Sequence, residues 1–377
     1  MVPPMDRLLL RGRVLTADRD LSMATVLVAN GKIESVAEGL HEPRDVTPMI
    51  EDGDIIAPGF IDLQVNGVAG CDAASGAAAM AVISRHLPRH GVTGFLPTVI
   101  SRPVLDGVRF VDECRLAESA GAVILGAHVE GPFINPKHRG AHDLDCLSAP
   151  DPGLVHELAE ARPTLVTLAP ELPGAIGAIR ALTGAGVVVS AGHSGATMAQ
   201  GIAGFDAGIR FGTHLFNAMS PLHHREPHLP GALLADERVT IGLIADGVHV
   251  HPAMLALTVR VAGAERVAIT TDLVAAAESP PGRYVIGGRE SLSDGTTVRL
   301  ADGTLAGSVA TMDRMVRLMA GLPGVGLRRA VQMASTTPAR VLGIDHAVRA
   351  GLPANLVVLT PDWKVRLTLV RGRVAHG

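Results

Sequence analysis

No stretch of this chain has the length and uniform apolarity of a membrane span, which takes about 20 consecutive apolar residues as a helix. Near the N-terminus, the only apolar run within Met1–Arg13 is Leu8–Leu10, too short for the core of a signal peptide. Cysteine is equally scarce. Cys71, Cys114 and Cys146 are the three present. Their odd number and irregular spacing exclude a disulfide framework and a cysteine-based zinc site, and a reducing cytoplasm is the expected compartment. Nor does charge of one sign dominate. With 33 basic and 37 acidic residues the net charge is −4, which gives no reason to expect nucleic acid or an anionic membrane as partner. Local basic clusters remain free to hold a phosphorylated small molecule.

What is abundant is apolar residues, 47% of 377, against 19% charged. That suffices for a large core in one large domain or two. Histidine is plentiful, at sixteen, so its placement matters. The first segment reads as short strands, with "RLLLRGRVLTAD" and "TVLVANGKIESVAEG" carrying an Asn30-Gly31 hairpin signal. The last, "ANLVVLTPDWKVRLTLVRGRVAHG", is alike and has a turn at Arg371-Gly372. Shared architecture at both ends predicts a small β-sandwich built from 1–57 and 349–377, flanking a domain at 58–348.

Inside that domain the rhythm changes. "FIDLQVN", "VTGFLPTV", "AVILGAH", "TLVTLAP", "GVVVSAGH", "GIRFGTH", "IGLIAD" and "RVAITTD" alternate with Ala/Leu-rich helical stretches. Uniformly apolar strands with helices between them belong to a parallel sheet buried on both faces. Eight such runs match an α/β (β/α)8 TIM-like barrel, favoured over an open doubly wound sheet by length and run count together. "GRYVIGGRESLSDGTTVRLADGTLAGS" breaks the pattern and reads as a β-hairpin insertion near the barrel mouth.

Polar residues sit at the ends of these runs: His128 and Glu130, His193, His214 and Asn217, and Asp272. In a parallel barrel those ends share one face, where active sites are built. Glu130, His193 and His214 make an oxygen–nitrogen–nitrogen set, a known catalytic zinc arrangement that leaves a position for water. Such a metal lowers the pKa of water to about 7. Asp272 then suits the task of taking the water's proton and passing it on to a leaving amine. A single strand-end histidine is more often a packing residue; four such groups on separate strands, costly to bury unpaired, are not. Ser194 lies in a Gly-rich turn and is assigned geometry rather than nucleophilic attack.

The stretches "APGFIDLQVNG", "HVEGPF", "AGHSGAT", "THLFNAMSPLHHREP", "GLIADGVHVHP", "TTDLVAA", "LAGSVATMD" and "ASTTPARVLG" span Ala57 to Gly343 in order. Together they make the chain resemble the N-acetylglucosamine-6-phosphate deacetylases, within the amidohydrolase superfamily. The resemblance implies hydrolysis of a linear amide, giving glucosamine 6-phosphate and acetate. It implies Glu130, His193 and His214 as metal ligands and Asp272 as acid/base. His142 would donate to the developing oxyanion, a bond worth a sizeable part of the barrier. Substrate contacts would come from His142, the Asn217 and Ala218 amides, Arg225, His249, Ala306 and Gly307. Arginine offers a planar fork to phosphate oxygens. The resemblance also implies a homodimer in which Arg225 reaches the neighbouring subunit's site. His223, His224, His228 and His251 receive no role.

Many superfamily members hold a second metal with His-x-His at the end of the first strand. Here Gln64 and Asn66 stand there, and amides are poor ligands for a transition metal. One divalent ion per subunit is therefore expected, zinc first, with iron or another ion as alternatives and the second site weak or absent. The galactosamine epimer, or another N-acyl amino sugar phosphate, stays open as substrate. A cyclic-amide hydrolase is disfavoured by the missing His-x-His and the absence of a bridging lysine near "HVEGPF". A non-catalytic sugar-phosphate-binding barrel is disfavoured because ligands and base are all present.

Overall fold

The computed structural model describes residues 7–16, 19–39, 49 and 53–377. The remainder of the expected N-terminal segment 1–57 lies outside the described residues.

Each apolar run of the middle segment contributes a strand. They are β1 (Phe60–Val65), β2 (Val92–Ile100), β3 (His128–Glu130), β4 (Leu165–Leu168), β5 (Val188–Ala191), β6 (Phe211–Gly212), β7 (Thr240–Leu243) and β8 (Val267–Ile269). All pair in parallel with their sequence neighbours. Their residues are almost all buried, as a sheet covered on both faces requires. The path closes where Val65 bridges Leu273 and Asn66 N donates to Leu273 O at 2.8 Å. That contact makes the structure a (β/α)8 barrel and removes the open-sheet alternative.

Helices α1 (Ala77–His86), α2 (Val104–Leu116), α3 (Pro152–Ala161), α4 (Ala175–Gly184), α5 (Met198–Ala207), α6 (His228–Ala235) and α7 (Pro252–Ala262) follow strands β1 to β7 in turn. Local chemistry starts them. Asp151 caps α3 by accepting from Gly153 N and Leu154 N, with Pro152 at the first helical position. Thr197 and Gln200 form a capping box on α5. Three more helices, α8 (Met312–Gly321), α9 (Gly326–Ala334) and α10 (Thr336–Val341), follow β8. Among the described residues no helix is long and apolar enough to cross a membrane.

Ile61, Leu63, Leu96, Leu165, Phe211 and Ala268 form a separate core cluster with Ala339 of α10. Val65, two residues after Leu63, joins the main core instead. The β1–β2 register slips between Asp62 and Val65, beside the point where Gln64 reaches Glu130. Such breaks are common beside active sites. The third run also departs from expectation. It splits into Val123–Ile124 and β3, because Gly126 takes φ +132 where a Cβ would lie 1.7 Å from Thr164 Oγ1.

The two chain ends meet in one seven-stranded sheet among the described residues. Leu356–Leu359 runs antiparallel to Ile55–Pro58, which pairs in parallel with Arg7–Leu15. Leu8, Leu10, Val26, Val28, Leu356, Val358, Leu367 and Leu369 share a core of their own. Leu15, Ile55, Ala57, Val357 and Leu359 join the barrel's core instead. Asn30-Gly31 and Arg371-Gly372 both have positive φ at each position, the geometry of two-residue hairpin turns. The insertion carries three antiparallel strands rather than two, Gly282–Ile286, Arg289–Ser293 and Val298–Leu300. Asp294 stabilises the second turn by accepting from the Thr296 and Thr297 N–H groups. Arg289 Nη1 reaches Gly140 O and Ala141 O at 3.5 and 3.4 Å, which sets the insertion against the loop after β3.

The first and last parts of the barrel are also joined by ion pairs. His90 Nδ1 lies 3.1 Å from Asp313 Oδ1 of α8, and His90 Nε2 lies 3.0 Å from Glu278 Oε1. Burial alone would lower the imidazole pKa, but the two carboxylates outweigh it and raise it to about 9. Glu278 and Asp313 are held below their ordinary values with His90 as a main cause. A raised folded-state pKa stabilises fully below the unfolded histidine value of about 6.5 and is lost as pH rises through the folded value. The lowered carboxylates act in the opposite sense, at the acid end. Between pH ~6.5 and ~9.5 the wild type should therefore lose up to ~3 kcal/mol more unfolding free energy than His90→Gln. Denaturant unfolding across that range measures it, and parallel losses would remove the ion pairs from the account.

Candidate active site

Strands β3, β5 and β6 each deliver one group to a single point. Glu130 ends β3, while His193 and His214 follow β5 and β6 by two residues. Glu130 Oε1 is 3.1 Å from His193 Nε2 and 3.0 Å from His214 Nε2, and the two Nε2 atoms are 3.1 Å apart. All three residues are buried, with Glu130 at 2% exposure. His193 Nδ1–H donates to His138 O at 2.9 Å, so its Nε2 offers a lone pair to the cluster. A carbonyl holding the far nitrogen is how metal-binding histidines are oriented. The ligating atoms lie within 4.8 Å of one another. Two imidazole nitrogens and a carboxylate facing one point, with one tautomer fixed from behind, fit a divalent cation. Burial would raise the Glu130 pKa, but His142, His193 and His214 together hold it well below the ordinary range.

The amides after β1 serve two carboxylates. Gln64 Nε2 donates to Glu130 Oε1 at 3.1 Å, and Asn66 Nδ2 donates to Asp272 Oδ1 at 2.7 Å. Asp272 follows β8 by three residues and is half-buried. Desolvation, reinforced by the Glu130 charge, pushes it up to about 7, against the opposing effects of His214, His249 and Asn66. His142 is not a solvated loop residue: it is 2% exposed. Ser101 N–H donates to His142 Nδ1 at 3.1 Å, with Ser101 Oγ at 2.7 Å. That fixes the proton on Nε2, 3.7 Å from Glu130 Oε2. Burial first, then His193, pushes the His142 pKa down to about 4, so the ring is a neutral N–H donor.

The other expected contacts are gathered less completely. His249 Nδ1 is 2.7 Å from Asp246 Oδ2. Asn217 N–H is taken by His214 O at 3.0 Å. Ala306 and Gly307 lead into Ser308, whose N donates to Asp272 O at 2.8 Å. A Cβ at Gly307, where φ is +70, would lie 2.8 Å from Asp272 O and 2.3 Å from Val274 Cγ1. Arg225 is exposed, with its guanidinium 2.9 Å from His224 Nε2.

Ser101, Glu171 and Asp246 are supporting residues that the sequence reading did not single out. Glu171 accepts from Asn135 Nδ2, Ser194 Oγ and Gly195 N, tying the β3 and β5 loops together. This occupies the Ser194 hydroxyl, in line with a geometric role. Glu171 follows "TLAP" directly, so its strand-end position was the available signal. Ser101 and Asp246 likewise stand just beyond β2 and β7.

Residues 55–375 match the model of the amidohydrolase family. The chain belongs to the amidohydrolase family. Within it, the chain is 39% identical to N-acetylglucosamine-6-phosphate deacetylase of Danio rerio, over 85% of this chain and 84% of that one. It is 37% identical to N-acetylgalactosamine-6-phosphate deacetylase of Escherichia coli O157:H7, over 98% and 100%. A mutant N-acetyl-D-glucosamine-6-phosphate deacetylase of Mycobacterium smegmatis, solved with N-acetyl-D-glucosamine-6-phosphate, superposes with a TM-score of 0.93 at 34% identity, covering 98% and 99%. Family membership implies a divalent metal, and Glu130, His193 and His214 are the possible site. Glu130→Gln should weaken metal binding at least ~100-fold, more than loss of a supporting residue typically does. It should also abolish the rise in melting temperature that added metal gives the wild type. Competition with a chelator of known affinity measures the first, and wild-type affinity in the variant would remove Glu130 from the ligand set.

Proposed function

We propose that this amidohydrolase removes the acetyl group of N-acetylglucosamine 6-phosphate, releasing glucosamine 6-phosphate and acetate. The observation that carries the reading is the gathering of a buried Nε2–H donor, His142, and a carboxyl aimed by Asn66, Asp272, around the Glu130–His193–His214 cluster. One divalent ion is assigned to that cluster, zinc first, with iron or another ion as alternatives. When bound, such an ion polarises a carbonyl and acidifies water.

The side chains account for the remaining chemistry. Asp272 takes the proton of the attacking water, held in aim by Asn66. His142 donates to the carbonyl oxygen as negative charge develops there. Asp272 then returns the proton to nitrogen as the C–N bond breaks, so one water is consumed and no covalent enzyme intermediate forms. Desolvation raises Asp272 above the ordinary carboxyl range, the direction that suits a group that must both accept and release a proton. A second metal is disfavoured because Gln64 and Asn66 offer amide oxygens, poor ligands for a transition metal, where imidazoles would be needed. His249, steadied by Asp246, and Arg225 are assigned to the phosphate. The Ala218 amide is a further donor assigned to the phosphate, Asn217 N–H being taken by His214 O, and Ala306–Gly307 are assigned to the substrate. The galacto epimer is the second reading, favoured by the relative that carries that name. The reaction is assigned to the cytoplasm, in line with three free cysteines.

Acetate release from both epimeric substrates tests the reading. Rapid release from the gluco substrate, with Asp272→Asn slower by about 10²–10⁴-fold or more, is the expected result. Release from the galacto substrate alone would change the substrate and keep the mechanism. No release from either by metal-replete protein would leave a binding role.

We also assign Arg225 to the neighbouring subunit's site in a homodimer. Its exposed position supports this, as do the exposed Leu222 and Val248 near it and His249 in the chain. Mixing Arg225→Ala chains with Asp272→Asn chains should then restore activity, because a hybrid dimer holds one site with both residues. A mixture as inactive as its parents, once subunit exchange is verified by mass, would place Arg225 at its own subunit's site.

A further inference from the structure

Asp62 of β1 is a fully buried carboxylate outside the metal cluster. Its Oδ1 accepts from Thr271 N at 3.1 Å and Gln64 N at 3.3 Å, and its Oδ2 accepts from Thr271 Oγ1 at 2.5 Å. Burial pushes it up to about 7 against these bonds. Keeping such a group in the interior costs stability unless its bonds do something an apolar residue could not.

Its location shows what they do. Asp62 lies at the seam where β1 meets the segment after β8, and there the backbone pairing is a lone bridge, Val65 to Leu273. Thr271 precedes the base. While donating to Asp62, its hydroxyl accepts from Leu273 N at 3.2 Å. The N–H groups on both sides of Asp272 are therefore held by one pair of side chains. Between them Asp272 sits at φ +50, a left-handed conformation that is uncommon outside glycine and persists only when its surroundings impose it. From that conformation its carboxylate meets Asn66 Nδ2.

We propose that Asp62 is a positioning residue, which through Thr271 sets the backbone of Asp272 and so the aim of the acid/base. This rests on the reading of Asp272 as that group. Asp62 accepts from Gln64 N rather than from a ligand of the metal cluster, so its removal should act on turnover rather than on metal or substrate binding.

The test compares Asp62→Asn, Thr271→Val and Thr271→Ser in the metal-loaded full chain, with kcat, KM, metal content and melting temperature measured for each. Asp62→Asn and Thr271→Val should lower kcat at least tenfold, with KM within threefold of wild type and metal content unchanged. Thr271→Ser, which keeps the hydroxyl, should restore kcat to within threefold. In an Asp272→Asn background, Asp62→Asn should cost less than twofold, because it acts through the residue already lost. Where Asp62→Asn does not fold, the Thr271 pair decides alone, since valine keeps the volume and removes only the hydroxyl. Unchanged kcat in a folded variant, losses shared by KM or metal content, or equal losses with serine and valine would overturn the proposal. Undiminished activity of Asp272→Asn would overturn the base assignment and this proposal together. An inactive Asp272→Asn beside an unaffected Asp62→Asn would overturn this proposal alone.

Discussion

One buried carboxylate oxygen organises the molecule. Glu130 Oε1 has His193 Nε2, His214 Nε2 and Gln64 Nε2 within 3.1 Å of it. A carboxylate in that interior is tolerable only with hydrogen bonds or with opposite charge beside it; Gln64 donates one bond, and the Nε2 lone pair that His193 turns to the same point suits a cation held among these partners. Those partners come from strands β1, β5 and β6, so the cluster requires a closed barrel. An open sheet would hold β1 far from β8, leaving Asn66 without Asp272 and Asp62 without Thr271.

The strand ends accept unfavourable backbone geometry to build this cluster. His193, His214, Phe216, Ala218 and Asp272 all have positive φ, a cost of order 1–3 kcal/mol each where no local bond compensates. Stiff surroundings hold them there. Glu171 ties the loops of β3 and β5. Ser101 holds His142 from β2, and Ser308 supports Asp272 O from the segment after the insertion. Below, hydroxyls link strands β4 to β6: Thr167 Oγ1 meets His128 Nε2 at 2.8 Å and Thr213 Oγ1 at 2.7 Å, and Thr213 in turn meets Ser190 Oγ at 2.6 Å. Burial keeps His128 neutral by lowering its pKa to about 4. The polar site thus rests on a satisfied neutral layer, with a rigid apolar barrel around it.

Much of this was legible in the sequence because parallel strands covered on both faces leave uninterrupted apolar runs, and polar residues at their ends are then conspicuous. Glu130, His193, His214 and Asp272 could be read that way. His142, Arg225 and His249 could not. They lie in loops whose path no periodicity specifies, and only the resemblance singled them out. Asp62 and Ser101 were invisible for another reason. Each matters through a partner tens to hundreds of residues away, and the pairing exists only once β1 meets β8 or β2 faces the loop after β3. The slip between Asp62 and Val65 was equally hidden, since strict alternation predicts no break there. A strand-built unit from both chain ends was anticipated, as a β-sandwich, from two turn signals and β-branched runs, whereas the order of its seven-stranded sheet depends on tertiary contact.

We assign a single catalytic ion to Glu130, His193 and His214. Anomalous diffraction at the metal's absorption edge, on crystals of the metal-loaded protein, tests it most directly. One anomalous peak per chain is expected, about 2.0–2.2 Å from one Glu130 oxygen and both Nε2 atoms, the usual range for zinc. A second peak of equal strength beside Gln64 and Asn66, or a lone peak away from the three residues, would contradict it.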